Sequence, residues 1–150
     1  MNDSGILTQD EANYLLNMLK KSLSNEIAFP KQNSSTEFDV QGNTKQNLFT
    51  ISISRGKIKR TKYSLGARIK KNGTMLLELH LNPGNTHINP DGEKIVGSHW
   101  HIYKEGYGHK FAYPADNIDS DNFIENTLSF FDRFNIIEKP IINHQLELLQ

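Results

Sequence analysis

Apolar residues near the start of the chain recur at helical spacing. In "LTQDEANYLLNMLKKSL", Ala12, Leu15, Leu16, Leu19 and Leu23 form one stripe, which predicts an amphipathic helix. Thr8 followed by Glu11 has capping-box spacing, with Leu7 and Ala12 placed for a hydrophobic staple. Lys20 and Lys21 fall in the last turns, where the helix dipole favours cations.

The period then changes from helical to alternating. "FPKQNSS" reads as a loop, while "STEFDVQ" and "NLFTISISRG" read as strands joined through the Gly42-Asn43 turn signal. In the second strand Phe49, Ile51 and Ile53 face one way, and Thr50, Ser52 and Ser54 the other. The next strand sets Tyr63, Leu65, Ala67 and Ile69 against Lys62, Ser64, Arg68 and Lys70. Asn72-Gly73 signals a hairpin, and the return strand turns Leu77, Leu79 and Leu81 inward, with Glu78, His80 and Asn82 outward.

Asn82 to Gly97 is a long loop with two Asn-Pro steps and an Asp-Gly, and loops of that length in compact domains are often functional. "SHWHIYKEG" predicts a strand with Trp100 and Ile102 on the core face, and "KFAYPA" a last strand. A second helix follows, capped by Asp119 or Ser120, with Phe123, Ile124, Leu128, Phe131 and Phe134 on its apolar side. The segment 137–150 is a tail broken at Pro140, readable as a strand or a short helix. The order predicts a single α+β domain over 1–150, with its core over about 7–136. The expected build is an N-terminal helix, an antiparallel sheet of about five or six strands, and a C-terminal helix packed on that sheet.

Composition narrows the function classes. The chain has no cysteine, which excludes disulfides and thiolate metal sites and fits a reducing cytoplasm. No secretory leader is expected from "MNDSGILTQDEANYLL", and no apolar run is long enough for a membrane span. The net charge is zero but unevenly spread. Lys45, Arg55, Lys57, Lys59, Arg60, Lys62, Arg68, Lys70 and Lys71 fall in a window without acids between Asp39 and Glu78. Acidic residues dominate the last third, so a polyanion-facing surface and a solvated basic hairpin are both open readings.

The candidate chemistry lies in "SHWHIYKEGYGHK". On a strand, His99, His101, Tyr103 and Glu105 share a face, and Lys62, Arg68, Glu78 and His80 are expected on the same face of the neighbouring hairpin. Histidine titrates near neutrality, so His99 and His101 suit acid–base attack by an RNA 2′-hydroxyl. Glu105 would orient one of them or act as base, and Tyr103 or Tyr107 would orient or donate. Arg68 and Lys62 would hold phosphate, with Arg55, Lys57, Lys59, Arg60 and Lys70 along the flanking backbone. That mechanism needs no cofactor and no metal. His87, with Asn89 and Asp91 in the Asn89-Pro90-Asp91-Gly92 turn, could form a lid over the sheet face. His109 reads as exposed, and His144 has no assigned role.

A metal is the competing chemistry. His99-x-His101 followed by Glu105 has the His-x-His-x3-Glu spacing of a cupin's first metal motif, and His80 or His87 could add a ligand. The downstream cupin motif is missing.

"HINPDGE" and "HWHIYKEGYGHKFAYP" resemble an uncharacterised bacterial family catalogued as a domain of unknown function. The likeness runs from about Leu7 to about Pro140 and takes in "LTQDEANYLL", "SRGKI" and "KYSLGAR". It implies site positions at Arg55, Lys62, Arg68, His87, Asn89, Asp91, His99, His101, Tyr103 and Glu105. His80 departs from the acidic residue expected there. The resemblance also implies an accessory gene of mobile elements, including toxin–antitoxin and anti-defence loci.

The leading expectation is therefore a small cytoplasmic protein engaging RNA, as a metal-independent ribonuclease of toxin type. The alternatives are a non-catalytic anti-defence inhibitor of a nuclease or nucleoprotein complex, and a cupin-like metal-dependent protein. Expected partners are RNA or a nucleoprotein, a cognate antitoxin or a nuclease complex, with homodimerisation open and no membrane involved.

Overall fold

The structure is a computed structural model and describes residues 6–116 and 118–144. Helix α1 spans Gln9–Asn17 and is followed by strands β1 (Lys20–Ser22), β2 (Glu26–Ala28), β3 (Ser35–Gln41), β4 (Leu48–Arg55), β5 (Tyr63–Ile69) and β6 (Met75–Leu81). Then come β7 (His87–Ile88), β8 (Lys94–Ile95), β9 (His99–Ile102) and β10 (Ala112–Pro114). Helix α2 (Phe123–Arg133), β11 (Ile136–Glu138) and β12 (Ile141–Asn143) complete the order.

The main sheet has eight strands in the order β10-β9-β6-β5-β4-β3-β1-β11. This α+β build matches the expected class, but the sheet is larger than five or six strands and is mixed. β11 pairs parallel with β1, and β12 pairs parallel with β2 in a separate ribbon. Both additions come from the segment read as a tail. Their strands are three residues long, too short for alternation to show, and their partners lie more than a hundred residues away.

The alternating strands fold as their pattern dictates. Phe38, Val40, Phe49, Ile51, Ile53, Tyr63, Leu65, Ala67, Leu77, Leu79 and Leu81 are buried on the helix-bearing face. Phenylalanines from α2 close that layer: Phe131 meets Phe38 edge-on at 5.5 Å, and Phe134 meets Phe49 at 5.3 Å. Trp100 is partly buried on the same face and stacks on Phe130. Offset and edge-on aromatic pairs of this kind add specificity to the area they bury.

Both helices differ in detail from the sequence reading. The capping box of α1 forms as expected: Glu11 N–H donates to Thr8 Oγ1 and Thr8 N–H to Glu11 Oε1. The helix stops at Asn17, however, leaving Leu19 and Leu23 exposed. Lys20 is not a solvated end-of-helix cation. It is 1% exposed in β1, and its ammonium donates to Leu16, Met18 and Phe134 carbonyls. Its Nζ also lies 3.8 Å from the Phe134 ring centroid. Burial pulls its pKa down to about 7, while the carbonyls and ring face favour the charged form. The N-cap position of α2 is Asn122, whose side chain makes no capping bond, and not Asp119 or Ser120; the buried side is Phe123, Asn126, Thr127, Phe130 and Phe131, with Leu128 exposed. Among the described residues no helix is long and apolar enough to cross a membrane.

Candidate metal centre

The sheet face opposite the helices carries the site. Cross-strand register sets His80 of β6 opposite His99 of β9, and Glu78 opposite His101. Residues two apart on a strand point the same way, so these four side chains meet on one face. Imidazole centroids are 5.1 Å apart for His80–His99, 4.8 Å for His80–His101 and 4.9 Å for His99–His101. One ring nitrogen from each lies within 4.8 Å of the other two.

The loop from Asn82 to Gly97 folds over this face as the β7–β8 hairpin. It brings the His87 ring within 4.8 Å of His101 and 5.6 Å of His99, centroid to centroid. Asn89 is the clamp. Its Nδ2 donates to the Ala112 carbonyl at 3.0 Å, and its Oδ1 accepts from the Ala112 N–H at 2.8 Å. One buried amide thus pairs with both backbone groups of an edge residue on β10, as a neighbouring strand would. Asp91 Oδ1 accepts from the Glu93 N–H and shapes the turn, where Gly92 takes a φ of 91° that disfavours a side chain.

Each histidine is held by a hydrogen bond through one of its ring nitrogens, which leaves the other available. His99 Nδ1 donates to the Gly97 carbonyl at 2.9 Å, and His101 Nδ1 to the His109 carbonyl at 2.8 Å. Those bonds fix the tautomer that leaves Nε2 as a lone pair. His80 Nε2 is 3.3 Å from Glu78 Oε2, which leaves Nδ1, and His87 Nε2 donates to the Lys110 carbonyl. Metal-bound histidines show the same pattern, one nitrogen on the ion and the other N–H on a carbonyl or carboxylate.

The electrostatics agree. Burial holds His101 down to about 4, and the neighbouring His80 ring pushes the same way. Burial also lowers His99. Both rings are therefore neutral near pH 7. Burial alone would raise Glu78, but hydrogen bonds from His109 and His80 outweigh it and hold the carboxylate at about 2. His109, read from the sequence as simply exposed, donates from Nδ1 to Glu78 Oε1 at 2.8 Å and supplies the carbonyl for His101. Nothing in the sequence pattern marked it, because the link runs through a turn whose shape alternation does not encode.

Several expected members lie elsewhere. Tyr103 is not on the His99–His101 face. β9 ends at Ile102, and Tyr103 is buried, with its hydroxyl donating to the Leu7 carbonyl and accepting from the Leu7 N–H. Glu105 accepts from the Gln9 N–H at the start of α1, so the cupin-like Glu is not part of the cluster. Tyr107 packs edge-on against Phe111. Arg55 is a core residue: its guanidinium stacks 4.7 Å from the Phe123 ring and donates to the Pro30 and Arg60 carbonyls.

Arg60 pairs with Asp121, Arg68 with Glu37, and Lys70 with Asp39. Of the expected phosphate contacts, Lys62 lines the cleft and Arg68 does not. Lys57 and Lys59 are exposed on the β4–β5 loop. His144 packs edge-on against Phe29 and Phe123.

These features define an α+β protein with one sheet face roofed by loops over a histidine-lined cleft of about 600 Å³. The chain belongs to the family of unknown function DUF6978, whose match spans residues 7–136. That span contains every residue of the histidine cluster and its roof. No curated protein and no solved structure matches the chain.

Proposed function

We propose that the cleft is a transition-metal centre for hydrolysis, with His80, His99 and His101 as ligands and RNA phosphodiesters as the substrate class. The convergence of three imidazole nitrogens within 4.8 Å, each ring held at one nitrogen by an oxygen, carries the reading. Tetrahedral zinc with ligands at about 2.0–2.1 Å needs nitrogens about 3.3 Å apart, so small side-chain rotations close the set. Three protein ligands with a fourth position open is the catalytic arrangement, and such an ion supplies a polarised water at neutral pH. His87 overhangs the cluster, and its Nδ1 would be available to orient a water or a leaving oxygen. The RNA assignment is supported by the acid-free basic segment and by Lys57, Lys59 and Lys62, which are exposed on the β4–β5 loop, Lys62 at the cleft.

The metal-independent mechanism fits less well. A histidine that donates from Nδ1 and is held neutral by burial can accept a proton at Nε2. Neither His99 nor His101 then supplies the protonated partner that the reaction needs near pH 7.

Metal content and RNA cleavage, measured together, test the proposal. Purified wild type should hold about one zinc-class ion per chain and cleave RNA in a chelator-sensitive way. His99→Ala/His101→Ala should lose the ion and lower cleavage by at least about 100-fold. Cleavage unchanged by chelator would return the site to acid–base chemistry, and a metal-free wild type would remove the centre altogether.

A further inference from the structure

The cleft has a charge imbalance that the metal reading leaves unused. Its lining includes one carboxylate, Glu78, and both oxygens of that group are engaged by His80 and His109. Two ammonium groups, Lys62 and Lys110, also line it. Neither lysine side chain has a hydrogen bond, ion pair or ring contact among the described residues. Arg60, Arg68, Lys70 and Lys139 each pair with an acid. Lys62 and Lys110 therefore bring two unpaired ammonium groups to the cleft, beside a cluster built to take a divalent cation.

Shape points the same way. A second cavity of about 330 Å³ shares Lys62, His80 and Pro83 with the first. Ser54 and Ser64 line it, and no carboxylate does. Register explains the continuity: Ser64 lies opposite His80, and Ser54 opposite Ser64, so hydroxyls extend across the sheet from the histidine row. Lys62 stands at the junction. A side chain at Gly84 would meet the Lys62 Nζ at 3.4 Å, so the ammonium rests against the Pro83-Gly84 loop. Together the two cavities fall within the usual range for a small-ligand site.

We propose that this site seats a phosphate group between the ion and the ammonium groups of Lys62 and Lys110, with the rest of a nucleotide-sized ligand running into the serine-lined annex. The inference rests on the metal reading, since the ion is the third positive contact. Phosphate is the anion that a divalent ion and two ammonium point charges serve best, because its oxygens can meet all three at once. The phosphate can come from a free mononucleotide or from one unit of an RNA strand.

Calorimetric titration of the zinc-loaded full chain distinguishes these outcomes. Adenosine 5′-monophosphate should bind, inorganic phosphate should compete with it, and adenosine should not bind. Lys62→Ala and Lys110→Ala should each keep the zinc and weaken adenosine 5′-monophosphate by about 10-fold, the usual effect of losing one charge-assisted contact. Tighter binding of a short oligoribonucleotide with the same lysine dependence identifies RNA as the source. Binding of the mononucleotide alone identifies the free nucleotide. A chain that takes zinc but binds no phosphate, or binds it equally well in both lysine variants, overturns the phosphate seat alone. A chain that takes no zinc overturns the metal reading, and this inference with it.

Discussion

At the residue scale, the central feature is the direction in which each imidazole is held. His99 and His101 spend their Nδ1 protons on backbone carbonyls, and His80 spends its Nε2 proton on Glu78. This arrangement predicts a particular acid response of the metal-free protein. In the unfolded chain the histidines protonate near 6.5, whereas in the fold His101 stays neutral down to about 4. Between those values the unfolded state binds more protons, so stability is full above about 6.5 and falls as pH drops towards 4. Glu78, held at about 2, adds a second loss between about 4.5 and 2. Chemical denaturation of the apo protein across pH 4–8 should show the first loss, on the order of 2–3 kcal/mol, and His101→Asn should flatten it. A flat profile in wild type would show that burial does not hold His101 neutral.

Part of this centre was legible in the sequence. His99 and His101 are two apart on a strand, and His80 falls on the outward face of a strand whose leucines point in, so alternation alone brings them to one face. Tyr103 and Glu105 continue the same count on paper. In the fold β9 ends at Ile102, and a turn from Lys104 to Gly108 follows, with Gly106 and Gly108 at positive φ. The two glycines in "EGYGHK" were the available signal that the strand stops. Arg68 was expected beside the histidines, but it bonds Ser52 and Glu37 on neighbouring strands instead.

At the element scale, the β7–β8 hairpin turns an open sheet face into a cleft. Asn89 holds it through both of its amide groups, and Asn89→Ala would leave a buried N–H and C=O of Ala112 without partners. Losing that pair should cost about 2–3 kcal/mol. Native-state hydrogen exchange should show faster exchange at the Ala112 amide, with little change in the β4–β5 strands. Uniform acceleration throughout would mean that the hairpin is not a separate unit.

Lys20 plays a comparable part between the two helix ends, linking carbonyls of Leu16, Met18 and Phe134. Lys20→Met keeps the apolar stem but removes the ammonium donor from the Met18 and Phe134 carbonyls, while the Leu16 carbonyl keeps Asn135 Nδ2. It should destabilise the protein by about 2–4 kcal/mol in urea unfolding. An unchanged midpoint would show that the ammonium contributes nothing net. No helical pattern could reveal this role, because the pattern placed Lys20 in the last turn of a longer helix.

At the scale of the whole molecule, the long strands were readable and the short ones were not. β3 to β6 carry seven or eight residues of alternation each, enough to fix both face and register. β1, β11 and β12 are held by partners distant in sequence and carry no local period. The charge distribution was legible only in part. Arg55 sits on the core face between aromatic rings, and Arg60, Arg68 and Lys70 meet acids brought in by the fold. Four of the nine basic residues in the middle of the chain are thus internal wiring, and Lys57, Lys59 and Lys62 stay exposed on the β4–β5 loop, Lys62 at the cleft. An ion at His80, His99 and His101 would tie β6 to β9 and should raise the unfolding temperature in proportion to the logarithm of free zinc.

X-ray absorption at the zinc edge of the loaded protein tests this account most directly. It should show about three imidazole nitrogens and one oxygen at about 2.0–2.1 Å, with the imidazole scattering lost in His99→Ala/His101→Ala. An oxygen-only shell, or a spectrum identical in the double variant, would contradict it.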